Sequence, residues 1–297
     1  MNGRERGFLL LTSHLGDSQR RPLSQAQFRT LAQRVREMEV PEEQRDLKAS
    51  DLIELGFGRE MAERIICLLA EEDVLEHYLR RGHQAGCVPL TWASDAYPKV
   101  VRQRLGEDAP GCLWAKGNLE LLSSPMISLV GSRDIAQENR NFARELGRQA
   151  AQQGFVLVSG NARGADRTAQ QACISAGGTV ISVVADELER CPLQENVLYL
   201  SEDVFDGAFS AQRALSRNRI IHCLGSRVFV AQCRLQYGGT WDGTVKNLRQ
   251  EWSPVFCYLD GSEAMEMLLQ MGADGVELED LRNIHALRTP YLGLFDQ

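Results

Sequence analysis

The chain contains no apolar run approaching the ~18 residues that a membrane-spanning helix needs, which excludes a helical membrane protein. Its opening, MNGRERGFLLLTSHLGDS, holds only a four-residue apolar run from Phe8 to Leu11, too short for the core of a secretory leader. Cysteines at 67, 87, 112, 173, 191, 223, 233 and 257 form no CxxC and no Cys/His pair at zinc spacing. Neither a metal site nor a disulfide framework is expected, and the expected compartment is a reducing, cytoplasmic one. No cofactor is expected, and neither repeats nor low-complexity tracts occur. Positive charge is the scarcer sign: 33 Lys and Arg stand against 40 Asp and Glu, for a net charge of −7. That excludes a protein that coats DNA by bulk charge, but it leaves room for a local basic groove. What is present, in 297 residues at 43% hydrophobic and 25% charged, is the material for a sizeable core and about two domains.

Two rhythms divide the chain. Residues 1–85 read as helices: Met61, Ile65, Leu68, Leu69, Leu75 and Leu79 recur at helical spacing, and an earlier helix over Gln25 to Met38 follows Ser24 as a cap. Pro41 and the charges after it mark a loop. Residues 86–125 read as a connecting segment that packs on the sheet domain. From 126 to 283, short apolar runs (126–131, 155–160, 179–185, 196–201, 227–232 and 254–259) alternate with amphipathic stretches, among them helices around 209–224 and 243–251. Apolar strands alternating with helices predict an α/β fold, a doubly wound and mostly parallel Rossmann-like sheet buried on both faces. Residues 284–297 form a tail. Ligands of such sheets bind at the carboxyl ends of the strands.

Four motifs fall at those ends. Gly131-Ser132-Arg133 follows the first strand of this half. It suits an anion held by free helix N–H groups and a guanidinium, and equally a plain tight turn with a solvated arginine. Ser159-Gly160-Asn161-Ala162-Arg163-Gly164-Ala165-Asp166 can cradle phosphate through its backbone, with Asp166 either a ligand or a helix cap. The spacing is not GxGxxG, and no acidic residue stands ready for a ribose at the end of the second strand, which disfavours a dinucleotide dehydrogenase. From Gly207 through Trp241 there is no acidic residue, while Arg213, Arg217, Arg219, Arg227 and Arg234 all fall in that window. Arg217-Asn218-Arg219 is its focus, whereas Arg213 and Arg234 read as solvated. Gly238, Gly239, Thr240 and Thr244, with Lys246, lie at a further helix entry that suits phosphate. Four loops of like chemistry predict one polyanion groove.

Together these residues resemble the DprA (Smf, DNA-processing protein A) family. Its SG-x-A-x-G-[IA]-D is matched by Ser159 to Asp166, its RNRII by Arg217 to Ile221, and its later strand–GG–T segment by Val228 to Thr244. Tyr97-Pro98, Ala109-Pro110 and Leu113-Trp114-Ala115-Lys116-Gly117-Asn118 extend the resemblance over roughly 50–283. Departures are Gln170 for a histidine, Ala214-Leu215 for Phe-Pro, a loosely matching loop at 185–196, and the expected lack of a C-terminal winged helix. The resemblance implies an extended Rossmann fold that binds single-stranded DNA and hands it to the recombinase RecA without catalysis. It implies that Arg133, Arg163, Arg217 and Arg219 line the pocket, and that the protein forms a homodimer. Glu54 to Ile65 resembles a helix-hairpin-helix, whose G-x-G turn either contacts a DNA phosphate or merely packs.

Three further expectations compete or add. A LOG-type phosphoribohydrolase is similar at Gly238-Gly239-Thr240 to Thr244, but the position of its catalytic glutamate holds Asn247, and Asp242 lies on the wrong side of Thr244. A regulatory or antitoxin module of a phage-defence pair, with a toxin partner or a small nucleotide in the groove, fits the same residues. In the tail, Leu292-Gly293-Leu294-Phe295 resembles a peptide that docks on the sliding clamp, or else folds back on its own domain.

Overall fold

The computed structural model describes residues 1–36 and 47–287; the loop at Pro41 and the Leu292–Phe295 motif lie outside the described residues. Nine strands form one sheet: β1 (Val88–Thr91), β2 (Cys112–Gly117), β3 (Met126–Val130), β4 (Val156–Ser159), β5 (Val180–Val184), β6 (Val197–Glu202), β7 (Val228–Val230), β8 (Val255–Tyr258) and β9 (Asp274–Val276). Their order is β1-β2-β6-β5-β4-β3-β7-β8-β9. All pairs from β6 to β9 are parallel, and β1 and β2 add an antiparallel edge. The doubly wound expectation therefore holds. Residues 86–125, expected as a connection, supply two strands of this same sheet.

Side chains alternate across the sheet as the pleat requires. Met126, Val130, Val156, Val158, Ile181 and Val183 pack on one face with the helices Asn218–Leu224 and Gly238–Gln250. Ile127, Leu129, Leu157, Val180 and Val184 pack on the other with the helices Gln137–Gln152 and Ala165–Ser175. Every residue of β3, β4, β5 and β7 is buried, as the uninterrupted apolar runs demanded.

The helical region has its own small core around Leu31, Leu52, Ala62, Ile65 and Leu68. It also docks on the sheet: Tyr78, on the helix Glu72–Gln84, meets Trp114 of β2 and Phe205 with ring centroids 5.4 and 4.8 Å apart. Tyr78 Oη donates to Asp206 at 3.0 Å, satisfying the polar end of a buried ring. No helix among the described residues is long and apolar enough to cross a membrane.

Candidate functional site

The strand order reverses between β3 and β7, and the helices that come after these two strands cover opposite faces of the sheet. Such a switch point leaves a crevice at the carboxyl ends of the strands. Here it opens as two adjoining clefts of about 500 and 350 Å³ that share Arg133, Ala162, Phe209 and Arg217. The first is lined by Gly131, Ser132 and Arg133 after β3, by Asp166 and Asn218, and by Gly238, Gly239 and Thr240 after β7. The second is lined by Gly160, Asn161 and Arg163 after β4 and by Asp186 after β5. Loops distant in sequence thus meet in one groove.

Arg217 sits at the seam. The stretch expected as one helix over 209–224 is two, Ala211–Ser216 and Asn218–Leu224, and Arg217 is the residue between them. It is 7% exposed, yet its side chain has no hydrogen bond or ion pair within the described residues, and its Nε is buried without a partner. Burial lowers its pKa from the usual guanidinium value, Asp166 opposes that shift, and Arg133 adds to it. A desolvated cation with unspent donors is unfavourable in isolation and favourable beside an anion. The guanidinium lies so close over Gly160 that a Cβ there would fall 1.6 Å from Nη1.

Asp166 organises the turn beneath. Its Oδ2 accepts from the backbone N–H groups of Gly160 at 3.1 Å and Ala162 at 3.2 Å. Burial pushes its carboxyl pKa up, and Arg217, the two amides and Arg133 pull it back. Gly164 (φ +88°) sets the entry of the helix Ala165–Ser175, and a Cβ there would strike the carbonyl of Arg133 at 2.3 Å. Asn161 takes a left-handed φ of +56°, which asparagine tolerates better than most residues.

Some expected residues face elsewhere. Arg219 lines neither cleft; its guanidinium is locked to Glu202 of β6 and bonds Ser216 Oγ at 2.9 Å. Ser159 is fully buried and accepts from Gln170 Nε2 at 2.6 Å. Thr244 is buried too, and its hydroxyl donates to the carbonyl of Thr240 at 2.7 Å. Lys246 extends over Trp252, 5.7 Å from the ring centroid. Gly164 supports the loop from behind rather than lining it. Arg163 reaches the second cleft, paired at 2.5 Å with Asp134.

Other groove residues escaped the sequence reading. Phe209 is 52% exposed, borders both clefts, and lies 5.7 Å from the Arg133 guanidinium; Tyr237 is 69% exposed on the first cleft. Arg234, expected to be solvated, lines that cleft, and Arg167 lines the second. Arg213, expected to be solvated, is a strut that bonds the carbonyls of Gly207 and Ala208 and the hydroxyl of Ser201. The signal that could have found Phe209 and Tyr237 is their place in the acid-free window.

The geometry also bears on two alternatives. Asn247 is fully buried, with its amide committed to His222 Nδ1 at 3.1 Å and to the Ser253 N–H at 2.9 Å. In the helical region, Ala49–Glu54 and Arg59–Leu69 do form a hairpin, but Arg34 covers its turn, donating to the Leu55 carbonyl at 3.1 Å and stacking 4.5 Å over Phe57. No group of three or more His, Cys, Asp or Glu among the described residues could hold a metal.

Residues 89–281 match the model of the family described as DNA recombination-mediator protein A. DNA processing protein DprA of Streptococcus pneumoniae is 32% identical over 194 residues, covering 60% of this chain and 67% of that one. Protein Smf of Escherichia coli is 27% identical over 235 residues, 74% of this chain and 58% of that one. The matches thus span little more than half to two thirds of these curated relatives. The crystal structure of DprA from S. pneumoniae superposes with a TM-score of 0.72 at 22% identity, over 95% of this chain and 98% of that one. A DprA structure from Helicobacter pylori, titled for its single-stranded DNA binding mode, superposes at 0.56 and 23% identity over 66% and 94%. A family match spanning well over half the chain, together with a shared fold along nearly its whole length, places this protein in the DprA/Smf family of DNA recombination mediators.

Proposed function

We propose that the chain is a non-catalytic DNA-processing protein that grips single-stranded DNA in the strand-end groove. The observation that carries this reading is Arg217: a buried guanidinium with no hydrogen bond or ion pair among the described residues, at the seam of two clefts. Arg133, Arg163, Arg167 and Arg234 surround it on the same groove, suited to a run of phosphates. Phe209 and Tyr237 offer exposed faces on which bases stack irrespective of sequence. The single-stranded DNA binding of the H. pylori relative supports the same ligand. Delivery of the bound strand to a RecA-type recombinase, and pairing of two copies to lengthen the groove, complete the proposal. Stimulation of RecA strand exchange and the solution mass test those two steps.

A phosphoribohydrolase is disfavoured, because Asn247 is buried and its amide is already committed at both ends. A salt titration of oligo-dT binding decides the main point. Arg133→Ala and Arg217→Gln are each expected to lower affinity and to reduce the slope of log K against log salt by ~0.7, one single-strand phosphate apiece. Thermal melting of both variants separates a lost contact from a lost fold. Unchanged slopes, preference for duplex, or tighter binding of a mononucleotide than of an oligonucleotide would overturn the reading, the last in favour of a nucleotide-sensing module.

A further inference from the structure

Carboxylates are out of place in a phosphate groove unless something other than phosphate meets them. Three border this one, and two are spoken for: Asp134 pairs with Arg163, and Asp166 is buried beneath the Gly160 and Ala162 amides. Asp186 differs. It is exposed at the end of β5, in the second cleft together with Phe209, Arg133, Arg163 and Arg167. Despite those arginines it forms no ion pair among the described residues. Among the described residues its one hydrogen bond is local, Oδ1 accepting from the Glu187 N–H at 2.9 Å, and Oδ2 makes none. An ionised carboxylate only accepts hydrogen bonds, so its counterpart on a nucleic acid must carry donors. The sugar–phosphate backbone of DNA carries none.

We infer that Asp186 reads the edge of a base stacked on Phe209, and that the base it favours is guanine. Guanine alone presents two adjacent donors, N1–H and the N2 amine, which match the two oxygens of a carboxylate side by side. Thymine presents one N–H flanked by carbonyls, and those carbonyls face the carboxylate unfavourably. Phe209 borders the same cleft with half its surface exposed, so a base stacked on it would share that cleft with the acid. The groove then combines cations that hold any strand with one acceptor that sets a preference. This inference rests on the single-strand reading of the groove.

The test compares three twelve-nucleotide strands at fixed salt: all thymidine, the same strand with one central guanosine, and the same with inosine, which keeps N1–H but lacks the amine. The expected order for the unaltered protein is guanosine, inosine, thymidine, with roughly tenfold between the first and last, as a charged pair of hydrogen bonds supplies. Asp186→Asn and Asp186→Ala are expected to abolish that order, and melting curves of both variants separate a lost contact from a lost fold. Equal binding of the three strands by the unaltered protein overturns the guanine reading and leaves the single-strand reading standing. The same holds if Asp186→Ala tightens all three equally, since the carboxylate is then merely repulsive. A uridine RNA strand that outcompetes thymidine in an Asp186-dependent way overturns it too, in favour of a ribose hydroxyl. No salt-dependent binding of any strand brings down both readings.

Discussion

Two buried side chains show how differently this protein uses ionisable groups. Arg217 makes no hydrogen bond or ion pair among the described residues, on the surface that would meet a ligand. His222, five residues on, is fully buried, bonded through Nδ1 to Asn247, with Nε2 unpartnered beside Gly243. Burial lowers its pKa to about 3. The imidazole therefore stays neutral in the folded protein across the range where an unfolded chain takes up a proton. Because the folded value is depressed, stability is unaffected above pH 6.5 and falls as pH drops below it, until the folded value near 3 is reached. The loss between pH 6.5 and 5 amounts to about 2 kcal/mol. Asp166, with its carboxyl pushed up by burial, works in the opposite sense. Denaturant melts at pH 7, 6 and 5 check this: His222→Gln should flatten the decline between 6.5 and 5, and an unaltered decline would assign it elsewhere.

The turn after β4 shows how an element divides the work of its glycines. The atoms nearest a Cβ at Gly160 belong to the far end of the Arg217 side chain, whereas a Cβ at Gly164 would meet the Arg133 and Ser132 carbonyls at 2.3 and 2.5 Å and would also strain φ +88°. Gly160→Ala is thus expected to retain the fold and displace the guanidinium, weakening oligonucleotide binding about as much as loss of Arg217 itself. Gly164→Ala is expected to lower the melting temperature, at a cost of about 1–3 kcal/mol for a strained backbone position. Paired melting and binding curves separate the two. The same scale explains what could be read in advance. β3 to β8 were legible because buried parallel strands are uninterrupted apolar runs. β1, with Pro89 inside four residues, and β9, three residues including Gly275, carry no such run. β2 hides behind Lys116, whose Nζ is buried and donates to the Glu189 carbonyl at 2.7 Å. The RNR motif was legible as a site but not in its geometry. Residues two apart on a helical path point to opposite sides, so Arg217 enters the groove and Arg219 turns to Glu202. Thr244 and Lys246 stand a turn or more beyond the helix start at Gly238, where the pull of a helix N-terminus on an anion has faded.

At the scale of the molecule, a net charge of −7 surrounds a groove that holds five arginines: 133, 163, 167, 217 and 234. On the proposed reading, the acidic balance outside the groove would repel nucleic acid, so binding would be confined to what the groove spans. Arg163 already has Asp134, which leaves four arginines to displace counterions from a strand without first losing a carboxylate. At ~0.7 per single-strand phosphate, four contacts give a slope of log K against log salt of roughly −3. A protein that coats DNA by surface charge would instead show a slope that keeps steepening with the length of the strand. The slope here should stop changing once the oligonucleotide fills the two clefts, and duplex of equal length should bind at least about tenfold more weakly, because its stacked bases cannot reach Phe209 and Tyr237. A slope that grows with strand length past that point would mean the acidic surface is no barrier, and that the four loops at the strand ends are not where the strand is held.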